Sequence, residues 1–332
     1  MIVTGVPLND VTDHLVGVFR DPAILIGIPL ALLGAVFLSL GAQYQHRGVN
    51  KVENLTGSSG SAGLTGKQLL NLLRRPSWVV GTLLLGLAIV CQLSALAFAP
   101  LILVQPLGAV SLVITTLLHA RVSGHKPTRQ SVRAIIACVG GIFVFVTIAA
   151  FVATETPVTD LELLIVVGML VVVLTGLAVT WILVRKRAHP LFYIIASGVL
   201  YGFVATLAKV VINRIQSDLF DWLTVLCVVG LLAAVALGAY FVQTAYSVGP
   251  PDLVVAGLTV VDPVVAVLIG LTVLKEAETA NIWAFLGFAA AGAIAVYGVF
   301  SLARNHPQVI SDSQELPIRR GSDGRPGDKP GH

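Results

Sequence analysis

Residues 253–274 read LVVAGLTVVDPVVAVLIGLTVL. At 1.5 Å per residue, such a run covers about 33 Å as an α-helix, enough to cross the ~30 Å hydrocarbon core of a bilayer. One ionisable residue, Asp262, stands in the middle of it, directly before Pro263. The stretch therefore predicts a membrane-crossing helix with a carboxylate at a proline break near the bilayer centre.

The pattern recurs on both sides of this stretch. Apolar blocks of similar length fall at 24–44, 77–99, 101–120, 134–154, 162–184, 191–213, 222–245, 252–274 and 282–303, here called spans 1 to 9. Of 332 residues, 56% are apolar and 11% charged, with a mean hydropathy of +0.91. A soluble domain carries about 25% charged residues, so the expected fold is an all-α integral membrane protein with about nine transmembrane helices. Cys91, Cys138 and Cys227 all lie in apolar blocks without metal-ligand spacing and read as small core residues.

The connecting segments set the organisation and the orientation. Residues 1–22 lack the basic start of a cleavable signal and are expected outside the cytoplasm, so the first span stays in the membrane. A loop at 45–76 holds the Gly/Ser-rich run Gly57 to Gly66, then Lys67 to Arg75, which reads as a short interfacial helix. Asn54-Leu55-Thr56 matches a glycosylation sequon, but it falls on the side predicted cytoplasmic. Residues 304–332 are polar and rich in Pro and Gly, as in a disordered cytoplasmic tail. Seventeen of the 21 Lys and Arg fall after spans 1, 3, 5 and 9; the other side has Arg20, Arg214 and Lys275, with Lys209 inside a span. Cytoplasmic loops carry the basic excess, so the N-terminus is expected outside and the C-terminus inside a cell membrane.

The chain also resembles itself. Ala97-Phe98-Ala99-Pro100, then Gln105-Pro106, then an apolar run to His119 is set against Ala245-Tyr246-Ser247, then Asp262-Pro263, then an apolar run to Glu276. The interval from Pro to the polar residue is 13 in both. Each copy is followed by a span rich in small residues: Ala137, Gly140 and Gly141 in one, Gly287, Ala291, Gly292 and Gly298 in the other. Spans 1–4 (residues 23–155) then correspond to spans 6–9 (residues 190–303), joined by span 5 (residues 156–189). A displacement of five spans inverts the second copy, the plan of many secondary transporters, whose substrate sits near the midplane between repeats. The small residues let helices approach closely and offer a homodimer surface on spans 4 and 9.

Trp78, Gly81 and the run from Ala97-Phe98-Ala99-Pro100 through Gln105-Pro106-Leu107-Gly108-Ala109-Val110-Ser111 resemble a segment of the NIPA magnesium transporters. More broadly the chain is similar to the drug/metabolite transporter (DMT) superfamily, EamA-like, whose repeats end in an apolar helix with Pro near its start and Glu at its end, as Pro263 and Glu276 stand here. The likeness covers roughly residues 24–303 and implies a nine-span transporter. It departs at Gln45-His46-Arg47 before Gly48-Val49, where the NIPA proteins tend to have a run of lysines.

The groups that could act on a substrate are few. An ionised residue at the bilayer centre costs at least about 2.5–3.5 kcal/mol on insertion scales, so it faces a cavity or a partner. Asp262 lies about ten residues, some 15 Å, into span 8, and Pro263 frees the carbonyl of Thr259. Such a pair suits a cation or a proton, with Asp262 the one candidate metal ligand; alternatively the carboxylate is hydrogen-bonded to neighbouring helices at a kink. Gln105-Pro106 is the uncharged counterpart, with the carbonyl of Ile102 freed. Lys209 either snorkels to water or reaches the Asp262 cavity, where the two charges would cancel and favour a zwitterionic or anionic amphiphile over bare Mg²⁺. Glu276 and Glu278, with Glu155 and Asp160, form a cation-attracting mouth or are solvated loop ends. Gln43, Gln45, Gln92, Ser94, Ser111, Thr206, Gln243 and Thr244 line a polar path or bond neighbouring helices.

No phosphate loop, nucleophile elbow or paired metal ligands stand in the sequence. The expected function is thus a secondary carrier or facilitator working by alternating access, not an enzyme. It needs no cofactor and no nucleic acid, and its partners are the bilayer and a small solute or cation. The substrate stays open between a divalent cation such as Mg²⁺, a small metabolite and an amphiphile. The alternative is a non-transporting membrane partner or scaffold.

Overall fold

A computed structural model describes residues 22–56, 75–123, 128–154, 158–184, 190–219, 221–248, 251–278 and 280–304. Its helices are α1 (Pro22–Thr56), α2 (Pro76–Phe98), α3 (Leu101–Gly108), α4 (Val110–Ser123), α5 (Arg129–Val152), α6 (Asp160–Val184), α7 (Pro190–Gln216), α8 (Trp222–Val248), α9 (Pro251–Thr272) and α10 (Ile282–Arg304). Nine spans long and apolar enough to cross a membrane are present among the described residues, span 3 being α3 and α4 in series. The interfacial helix at 67–75, the N-terminal segment and the tail beyond Arg304 lie outside the described residues.

Two expected boundaries are corrected. Span 1 does not give way to a loop at residue 45: α1 runs to Thr56, 35 residues, about 52 Å and so longer than the hydrocarbon core. Its last turns carry Gln45, Arg47, Lys51 and Glu53, and a helix can continue past the apolar edge because its hydrogen bonds are internal. Span 3 is broken rather than continuous. Pro106 supplies no N–H, the Ala109 N–H turns back to the Pro106 carbonyl at 3.2 Å, and Leu112 likewise to Ala109 at 3.2 Å. The Ser111 hydroxyl donates to the Gly108 carbonyl at 2.7 Å, satisfying backbone that lipid could not.

Helix ends follow local chemistry. Four helices begin at proline (Pro22, Pro76, Pro190, Pro251), whose missing N–H is no loss in a first turn. Thr128 accepts from the Ser131 N–H at 3.1 Å, and Asn281 from the Ala284 N–H at 2.9 Å. Thr159 and Glu162 cap α6 reciprocally.

Apolar exposure is inverted relative to a soluble protein: Leu183 is 77% exposed, Val172 72% and Phe143 70%, side chains that only a lipid solvent accommodates in such number. α7 is the central helix and α6 the peripheral one. The packing maps onto itself under the five-span displacement. α1 packs on α2 as α7 does on α8, α1 packs on α3 and α4 as α7 does on α9, and α5–α10 and α3–α9 pair across the pseudo-twofold. Three glycines of spans 4 and 9 are taken up by packing within the chain. A Cβ at Gly141 would lie 2.5 Å from the Ala295 nitrogen, one at Gly287 would lie 2.7 Å from Ile148, and one at Gly298 would strike the Cys138 backbone. Gly140, by contrast, faces open space.

Candidate functional site

Asp262 sits where α9 passes closest to α7. A Cβ at Gly198 would meet Val261 at 2.6 Å, and one at Gly202 would meet Val265 at 2.7 Å and the Asp262 carbonyl at 3.0 Å. Two glycines four apart on one helix face thus let the backbones approach at the carboxylate. Asp262 Oδ1 is sealed from solvent and makes no hydrogen bond among the described residues. The Tyr201 ring from α7 packs over Gly238 of α8 and lies within electrostatic reach of Asp262, and Tyr246 of α8 lies within reach of Tyr201. The Thr259 hydroxyl donates to the Val255 carbonyl of its own helix at 2.7 Å.

The two proline breaks come together on the other face of α9. Pro106, Pro263 and Thr259 line one cavity of about 420 Å³, walled otherwise by apolar groups such as Phe145, Val267 and Phe288. Gln105 is buried and, like Asp262, does not line it. The expected pairing of the Gln105-Pro106 and Asp262-Pro263 elements is present in the contact of α3 with α9, but the prolines face a dry space and the carboxylate faces α7. Gln43 is half-buried on α1, and on the same helix Ser39 donates to the Ser111 carbonyl at 2.8 Å, just past the break in span 3.

Lys209 does neither of the things expected of it. It is 6% exposed, so it does not snorkel, and its Nζ donates to the Ala99 carbonyl at 3.0 Å. Along α7 it lies seven to eleven residues beyond the Gly202–Gly198 crossing, about 10–16 Å from Asp262 along the helix axis.

Glu276 is the larger correction. Far from a solvated mouth residue, it is 4% exposed, and its two carboxylate oxygens accept from the backbone N–H groups of Leu101 (2.8 Å) and Ile102 (2.9 Å). These are donors of the first turn of α3, which no residue of that helix can satisfy. The Glu276 carbonyl accepts from the Thr154 N–H at 2.8 Å, fastening the same loop to the end of α5. Gln216 of α7 donates to the Ala97 carbonyl at 3.3 Å. The Ala97 to Ile102 junction is thus held from three directions, at the end of the bundle where α1 begins, here called the near end.

At that end Asp160, expected to attract cations, is 2.6 Å from Arg214, which also binds Asp221 at 2.7 Å. Glu278 is exposed. Glu155 lies outside the described residues. Sequence reading missed Gly198 and Gly202, although the Gly-x-x-x-Gly spacing was available, and missed Arg214, whose partners come from two other segments.

The family model described as magnesium transporter NIPA matches residues 23–217. An uncharacterized protein of Corynebacterium glutamicum is 26% identical over 84% of this chain and 95% of its own length. Two Arabidopsis thaliana proteins named probable magnesium transporters, NIPA4 and NIPA1, are 33% and 28% identical over 28% and 36% of this chain, covering 25% and 34% of theirs. No solved structure matches.

Proposed function

Because the chain belongs to the magnesium transporter NIPA family, and is thus a multi-pass membrane transporter, we propose that it moves a divalent cation by alternating access between its two repeats, around Asp262. The observation that carries the reading is the mid-span carboxylate oxygen without a partner. A buried acceptor left unpaired costs about 1–3 kcal/mol, more when charged, and a passing cation relieves that cost. Mg²⁺ sheds water reluctantly and is commonly held through one or two carboxylates with several waters retained. The single acid fits such a hydrated ion, and no group of three or more His, Cys, Asp or Glu stands together among the described residues. The basic excess of the loops opposite the near end supports a reading in which that end faces away from the cytoplasm.

A second reading has its own support. The apolar cavity beside Pro263 suits the apolar part of an amphiphilic organic cation, whose charge would reach Asp262 only after α9 moves. Flux into proteoliposomes separates the two: Mg²⁺ entry above that of empty liposomes, reduced at least about tenfold in Asp262→Asn, is the expected result. Undiminished Mg²⁺ entry in the variant removes Asp262 from the pathway, and flux of an amphiphilic amine without Mg²⁺ selects the second reading.

A further inference from the structure

We infer that Glu276 is a positioning residue that gates the near end: by capping α3 it shuts the aqueous route to Asp262, and transport requires it to withdraw. The inference rests on the carrier reading above, but its test does not use flux.

Three observations support it. First, the bonds are of a kind that switches. A carboxylate on two N–H groups at a helix start is stabilised by charge-assisted hydrogen bonds and by the helix dipole. Both sides of the contact can be satisfied by water if the loop leaves, because the contact lies at a span end. Second, the seat is cut to the carboxylate. A Cβ at Gly270 would come within 2.8 Å of Glu276 Oε2 and 3.3 Å of Ile102, so the last turn of α9 makes room for the acid by carrying no side chain there. Lys275, at φ 53°, takes the left-handed conformation that turns Glu276 back over its own helix, and the Glu276 N–H donates to the Gly270 carbonyl at 3.0 Å.

Third, the gate and the site share one rigid element. Asp262 and Glu276 lie at the middle and just past the end of α9, which runs unbroken through Pro263. A shift of α9 against α7 at the Gly198–Gly202 crossing is carried along the helix to the loop. The contacts that oppose it are the Glu276 cap, the Lys209 bond to Ala99 and the Thr154 tie, all at one end. While the cap is made, both oxygens of Glu276 are occupied by N–H donors. Withdrawn, the carboxylate faces the aqueous side as the first acid an incoming cation meets.

The experiment is thiol accessibility. Ile102, fully buried beneath the Glu276 carboxylate, is changed to Cys in a chain whose Cys91, Cys138 and Cys227 are Ala. A membrane-impermeant maleimide is applied from the near end of full-length protein in proteoliposomes of known orientation. With Glu276 present, labelling is expected to be slow. Glu276→Gln, which keeps one acceptor and loses the charge, and Gly270→Ala, which displaces the carboxylate from below, are each expected to raise the rate about tenfold or more. Wild-type labelling rates in folded, monodisperse variants overturn the gate, and so does failure of both variants to fold, which would make Glu276 a static cap. Asp262→Asn is expected to leave the labelling of Ile102→Cys slow, so a failed site and a failed gate give different results.

Discussion

Asp221 shows how a surface charge is tuned by what it touches. It accepts from the Thr224 N–H at 3.1 Å and binds Arg214 at 2.7 Å. The Thr224 N–H first, and the Arg214 guanidinium next, hold its carboxyl below the ordinary carboxylate range. A carboxylate made more acidic by folding adds stability at every pH above its unfolded value, about 3.9, and that addition is lost as pH falls through the lower folded value. Thermal unfolding of purified protein should therefore show a constant offset between wild type and Asp221→Asn from pH 5 to 8, closing only below about pH 4. A gap unchanged at pH 3 would remove the clamp. Asp262 stands in the opposite situation. Its Oδ1 meets no donor among the described residues, and it is there that a neutral amide is expected to reduce flux at least about tenfold while leaving the fold intact.

At the scale of elements, the contact of α5 with α10 combines close backbone approach at Gly141 and Gly298 with a ring contact of Phe145 and Phe288, centroids 4.8 Å apart. A Cβ at Gly298 strikes the Cys138 backbone, which has no rotamer to move aside, whereas a Cβ at Gly140 meets nothing within 4 Å. Gly298→Ala is expected to cost about 1–3 kcal/mol by overpacking and to lower the unfolding temperature visibly. Gly140→Ala, next to Gly141 in the chain but on an open face, is expected to match or exceed wild type, since Ala is the better helix former by roughly 0.5–1 kcal/mol. Equal behaviour of the two variants would contradict the packing described. Span 3 makes the complementary point: Pro106 and the Ala109 turn divide it into α3 and α4, while the break at Ala99-Pro100 presents a helix start at Leu101 close to polar groups from α7 and from the α9–α10 loop.

For the molecule as a whole, the equivalence of spans 1–4 with spans 6–9 appears in which helices touch, and the charged ties across non-adjacent segments gather at the near end. Lys209, Arg214 and Glu276 are all nearly enclosed there. With the near end outside, as proposed, an epitope tag on residue 1 should be reached by antibody on intact cells, while one after His332 should need permeabilised cells. The reverse result would turn the proposed gate to the cytoplasmic side and, with it, the direction in which the site opens.

The nine spans, their alternation, the inverted repeat and the mid-span carboxylate were legible in the chain because each depends on local composition and length: an apolar run of twenty residues in lipid has no option but helix. The same holds for the prolines at 106 and 263, which remove an N–H wherever they stand. What Glu276, Lys209 and Arg214 do was not legible, because each spends its charge on a partner tens to more than a hundred residues away: Leu101 and Ile102, Ala99, and Asp160. Nothing in the neighbourhood of Glu276 distinguishes a solvated loop acid from a helix cap. Only the packing of α9 against α3 and α7 brings unsatisfied backbone donors to it, and in a low-dielectric interior an unmet donor decides where the nearest carboxylate goes.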